Sequence, residues 1–197
     1  MKNLIKTSVF VGILLTSVIV SATSNDPYVR VSTISSKTFN FGLLNFDGKI
    51  NVYIKDTEGE ILFNENYKGS YYSKNFDFSD MPNGEYFVEI DGQTKITTIP
   101  FNVSNHSVNF KNETKKDLFK PVVRRDGNEI YITKLALKNE ALQIAIFDEN
   151  NNLLHSEELK GEINLSRKFN IEMLEKGVYK FVLKTEGRTF KKQIKKN

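Results

Sequence analysis

"FSDMPNGEYFVEI" (78–90) is answered later in the chain by "IEMLEKGVYKFVL" (171–183). The two align without a gap at an offset of 93: Phe78 meets Ile171, Met81 meets Leu174, Gly84 meets Gly177 and Tyr86 meets Tyr179. Upstream, "VYIKDTEGEILFNENYKG" (52–69) matches "IAIFDENNNLLHSEELKG" (144–161) at an offset of 92, with Asp56 on Asp148, Leu62 on Leu154 and Glu65 on Glu157. Agreement over this length, broken by one inserted residue, marks a tandem duplication. A repeat is the first thing to establish, because each copy must then fold as one unit.

Each copy reads as strands. "INVYIKD" (50–56) alternates Ile50, Val52 and Ile54 with polar or amphipathic residues, and Leu142, Ile144 and Ile146 do the same in "LQIAIFD" (142–148). Period two with β-branched and aromatic residues indicates half-buried strands. "DTEG" and "DENNN" follow at once and carry the Asp, Asn and Gly of tight turns. "EILFNE" and "NLLHSE" then pair back as hairpin partners. Turn signals every ten residues or so, with no helical period between them, predict an all-β fold: two tandem immunoglobulin-like antiparallel β-sandwiches.

The opening phrase has a mechanical reading within that fold. Phe76 and Phe78, or Phe169 and Ile171, are alternate inward positions, and Met81 or Leu174 plugs the core where the chain crosses between sheets. Gly84 and Gly177 are expected at positive φ, which glycine adopts without steric cost. Tyr86 and Tyr179, just after the turn, are placed to bond back to the backbone as a tyrosine corner does. None of these positions needs catalysis to explain it.

The chain has 197 residues, no cysteine, and 39% hydrophobic, 12% aromatic and 26% charged residues, the composition of a folded protein. Without cysteine there is no disulfide, thiol chemistry, Cys-based zinc site or lipobox. Residues 1–22 read as a cleaved secretory signal peptide: Lys2 and Lys6, the apolar run "SVFVGILLTSVIV" (8–20), then "VSA" (20–22). The run is short of the roughly 20 residues that span a bilayer. Any membrane contact is expected only through that segment uncleaved, and the protein is placed in the periplasm, at the cell surface or outside the cell. The sandwiches are assigned to 23–103 and 121–197, joined by a polar linker at 104–120. Charge divides unevenly: 7 basic and 11 acidic residues in 23–110, against 19 and 13 in 111–197.

The second copy ends with "FNIEMLEKGVYKFVL" (169–183) and "GRTFKKQIKKN" (187–197). In this it resembles the C-terminal sorting domain of the type IX (Por) secretion system, a small β-sandwich at the end of exported cargo. Gly177 and Tyr179 match that family's Gly-x-Tyr element, and Lys191, Lys192, Lys195 and Lys196 match its basic final strand; the resemblance makes these six a candidate sorting signal. It covers about 121–197 and, again, about 30–103. Asn151 stands where that family's turn has glycine, whereas the first copy keeps Gly59 there.

Chemistry-bearing constellations are sparse. His106 and His155 are isolated, so no metal is expected. "DENNN" begins like a calcium loop, but Leu153 and Leu159 replace its sixth-position glycine and twelfth-position glutamate. Glu157 and Glu158 alternate across a strand and cannot act on one bond. Basic residues are not interleaved with exposed aromatics as nucleic-acid binding would want, and lysines on a terminal strand discourage edge-to-edge aggregation. Tyr67, Tyr71 and Tyr72, which lack aromatic equivalents in the second copy, are candidate binding residues; the structural alternative is that they cover the partner domain. The sequence thus predicts an exported, non-enzymatic, cofactor-free interaction module for a protein or glycan. The alternative is type IX cargo whose second domain is a sorting signal read by the secretion machinery.

Overall fold

Alternation along the strands decides which face of each is buried, and in the computed structural model, which describes residues 28–46 and 48–197, it builds two sandwiches. The signal-peptide reading of 1–22 lies outside the described residues. In the first copy, β1 (Tyr28–Thr33), β2 (Thr38–Leu44) and β5 (Tyr71–Asp77) form one sheet. The facing sheet runs β4 (Ile61–Lys68), β3 (Lys49–Lys55), β6 (Gly84–Asp91) and β7 (Lys95–Val103). The second copy repeats this order: β10 (Val122–Asp126), β11 (Glu129–Leu135) and β14 (Asn164–Asn170) oppose β13 (Leu153–Leu159), β12 (Leu142–Phe147), β15 (Gly177–Thr185) and β16 (Arg188–Lys196). All pairs are antiparallel, and each copy is an immunoglobulin-like sandwich built on a shared frame of three strands facing four, to which the first copy adds two short strands beyond β7.

The duplication extends to irregularities. Register slips at Ile54/Lys55 and again at Ile146/Phe147, the same position in each copy. Phe78 N–H donates to Lys37 O and Ile171 N–H to Asn128 O, both at 2.9 Å. The turns correspond as well: Gly59 has φ +86° and Asn151 has φ +65°, so asparagine fills the left-handed position that glycine holds in the first copy.

The cores are separate. Phe39, Phe41, Val52, Phe78, Val88, Ile99 and Phe101 belong to one buried cluster and Ile130, Ile132, Ile144, Phe181 and Leu183 to another. The first is aromatic, with Phe39 stacked on Phe78 at 5.4 Å and Phe101 on Phe110 at 4.9 Å; the second is mainly aliphatic.

Two expectations need correction. Residues 104–120 are not a free linker: β8 (Val108–Phe110) and β9 (Lys116–Phe119) both pair with the outer edge of β7, and Val108 and Phe110 pack on the first core. The polar composition hid a short alternating strand whose partner is close in space. The second correction concerns Gly84 and Gly177, neither of which has positive φ. They open β6 and β15 in ordinary extended geometry, and a Cβ on Gly177 would meet only the Glu149 Oε2 tip at 3.3 Å.

Candidate functional site

The residues that carry the repeat phrase gather at one end of the second sandwich. The β12–β13 turn is knotted by Asp148, whose Oδ1 accepts from Asn152 N–H and whose Oδ2 accepts from the Asn152 amide, each at 2.8 Å. The Asn152 side chain holds the Asp148 carboxyl below the usual carboxylate range. Beside this turn runs the crossover from β14 to β15. Leu174 N–H donates to Ile171 O at 3.2 Å, and Leu174 leans on the core as a plug. The Tyr179 hydroxyl reaches back to Glu175 O at 2.8 Å, and in the first copy Tyr86 reaches Pro82 O at 2.9 Å. Both are tyrosine corners, with rings 7% and 6% exposed.

The last strand locks onto this end. Lys196 Nζ donates to Ile171 O at 2.7 Å, to Leu174 O at 2.6 Å and to Glu172 O. In the first copy Lys37, the residue just before β2, donates to the corresponding carbonyls of Ser79 and Met81 at 3.2 and 3.3 Å. Asn128 stands where Lys37 would be in the second copy, so the ammonium on the crossover comes from a different strand. The reason is geometric: the crossover turns its carbonyls outward, and a charge-assisted donor satisfies several at once.

Turn, crossover and the start of β15 enclose an open groove of about 300 Å³ whose wall includes Glu149, Leu154, Met173, Lys176 and Val178. Met173 is 95% exposed, and Leu154, which lines the same groove, is exposed as well. Sequence reasoning passed over Met173. Its signal was the alignment itself, since Asp80 is its counterpart and an acid had become an exposed thioether.

The structure divides the proposed sorting residues. Gly177 and Tyr179 are structural, one opening β15 and the other buried as the corner. Lys196 is committed to the crossover, whereas Lys191, Lys192 and Lys195 stand exposed along β16. The three tyrosines are also divided. Tyr72 is 3% exposed, its ring edge-on to Tyr67 at 5.4 Å, and its hydroxyl donates to Glu65 Oε2 at 2.9 Å. Burial, together with that carboxylate, raises the Tyr72 pKa. Tyr67 is half-buried against Phe46 and the first core, so it and Tyr72 cover their own domain and not its neighbour. Tyr71 alone of the three points to solvent. His155 is exposed, edge-on to Phe169, and pairs with Glu157 at 3.1 Å. Among the described residues no cluster of three His, Asp or Glu side chains is placed to hold a metal.

No curated protein matches the chain. Among solved structures it is similar to a biofilm-associated protein BSP domain: 17% identity, 85% of this chain, 28% of that one, TM-score 0.29. It is also similar to a two-domain fibronectin type-III segment of chicken tenascin: 6% identity, 86% of this chain, 99% of that one, TM-score 0.30. The chain therefore spans little more than a quarter of the first and almost all of the second. The family model described as "Secretion system C-terminal sorting domain" matches residues 32–115 and then 128–197. With both copies matched, in agreement with the repeated topology and the paired tyrosine corners, the chain belongs to the family of secretion-system C-terminal sorting domains.

Proposed function

We propose that this protein is cargo of the type IX (Por) secretion system, with the second copy as the export signal and the first as a non-enzymatic interaction module that works outside the cell. The observation that carries this reading is the division within the second copy. Its signature residues, the Asp148 turn, Tyr179 and Lys196, hold one end of the sandwich together, while Lys191, Lys192 and Lys195 are left on a surface that secretion machinery can read. In the first copy the positions of Lys191, Lys192 and Lys195 are held by Thr98, Ile99 and Asn102, so the basic surface belongs to the second copy alone.

The non-enzymatic half of the proposal is supported by three acidic side chains that are tied to partners. Glu65 is held by Tyr72 and Lys74, Glu89 by Lys55 and Arg188, and Glu157 by His155 and Arg167. Acids bound in this way serve packing and pairing, not paired attack on a substrate.

The test is truncation. Deleting only the last ten residues would remove β16 with buried Ile194 and Lys196, and so would unfold the domain it was meant to probe. Truncation after Lys120 instead removes the second copy and leaves the first core complete. The truncated chain is expected to stay in the periplasm while the full chain reaches the surface or medium. Equal export of both would overturn the sorting role.

A further inference from the structure

The two copies differ most at one sheet edge. β7 and β16 align residue for residue at an offset of 93, from Lys95 on Arg188 to Val103 on Lys196. In the first copy the outer edge of β7 is covered twice: β9 pairs Lys116–Phe119 with 95–98, and β8 pairs Val108–Phe110 with 101–103. Between them Lys111 N–H donates to Pro100 O at 2.9 Å. Alternation then turns the backbone groups of 96, 98, 100 and 102 toward this side.

In the second copy the corresponding groups are those of Thr189, Lys191, Gln193 and Lys195. One has a partner: Arg125 Nη1 donates to Lys195 O at 2.5 Å, which confirms which way the edge faces. Among the described residues no strand pairs with this edge, and β16 ends its sheet. Thr189, Lys191 and Gln193 are exposed there, flanked by Lys192 and Lys195.

We propose that the outer edge of β16 over 189–193 is a strand-addition site that takes an extended, acidic segment of a partner protein as an antiparallel strand, occupying the place that β9 fills in the first copy. Backbone groups supply the affinity of such an addition, and side chains its selectivity. The lysines select for charge. A second copy of this chain, docked β16 to β16, would set lysine against lysine and is disfavoured; a strand with Asp or Glu at alternate positions meets them favourably. The same residues that keep the edge from self-association therefore admit one class of partner. This inference deepens the sorting reading by naming a surface for recognition, but the binding it describes does not depend on export.

The experiment uses the purified chain and a short synthetic peptide of alternating valine and glutamate, with a valine–lysine peptide as control. Binding is read from the amide NMR signals and hydrogen exchange of residues 189, 191 and 193. The glutamate peptide is expected to shift and protect these amides, more weakly as salt is raised, and the lysine peptide to leave them unchanged. Gln193→Pro removes one outward N–H at a position where the first copy already carries Pro100, so the fold tolerates it; affinity is expected to fall about fivefold. Lys191→Glu with Lys192→Glu is expected to reverse the peptide preference. Equal binding of both peptides, protection mapping to β4 or β13, or dimerisation through β16 would each overturn the proposal. Should truncation after Lys120 block export while the peptide fails to bind, the edge site falls and the sorting reading stands.

Discussion

Tyr179→Phe isolates the corner from the core, because phenylalanine keeps the buried ring and removes only the hydroxyl. No cavity is opened, so the transfer and void costs of a truncation do not enter. What is lost is one neutral hydrogen bond of 2.8 Å to Glu175 O. Glu175 lies in an exposed loop, so water can reach its carbonyl in the variant. The cost therefore sits in the ordinary net range for a hydrogen bond, about 1 kcal/mol. For a domain of this size that lowers Tm by about 4–8 °C. Differential scanning calorimetry on the full chain is the assay, since two separate cores are expected to melt as two transitions. Tyr86→Phe should lower only the first-copy transition by a similar amount. The chain truncated after Lys120 assigns which is which. The folded Tyr179→Phe protein should still be exported, because the hydroxyl points into its own loop. Unchanged transitions would refute the corner, and lost export at unchanged stability would refute its purely structural role.

Two other perturbations test the scaffold. Lys196→Met leaves the carbonyls of Ile171, Glu172 and Leu174 without their shared ammonium and is expected to cost about 2–3 kcal/mol, the scale of charge-assisted bonds, in urea unfolding of the second copy; Lys37→Met, with two longer bonds, should cost less. The Glu65 carboxyl is held below its ordinary value of about 4.5 by the Lys74 hydrogen bond and then by that of Tyr72. A depressed carboxylate contributes stability above its unfolded pKa and loses it as pH falls through the folded value. Thermal melts of the first copy should therefore weaken below about pH 4.5, and Glu65→Gln should make that decline shallower.

Much of the fold was legible because its determinants are local. The alternation of Ile50, Val52 and Ile54, the Asp56 and Asp148 turns, and the offset of a tyrosine from its turn are all read within a few residues. The tyrosine corners emerged where the repeat put them. Gly84 and Gly177 misled because a repeated glycine beside a turn suggests positive φ, whereas the left-handed positions lie in the hairpin turns, at Gly59 and Asn151, and not in the crossovers that lead to β6 and β15. Tyr67 and Tyr72 misled for a different reason. Copy-specific aromatics resemble a binding cluster until the packing of β4 and β5 is known, and here both rings lie on the first core.

The sequence by itself determined that a β-module was duplicated, which residues of each strand face inward, and where the chain turns. Those properties follow from backbone stereochemistry and the period of two, which act between near neighbours. Only tertiary structure decided that 108–119 closes the β7 edge while β16 lies open, that Lys196 serves the crossover while Lys191, Lys192 and Lys195 face solvent, and that Met173 borders a groove. Each of these depends on which distant segment comes alongside, and on where a long side chain finds its partner once the sheets have packed.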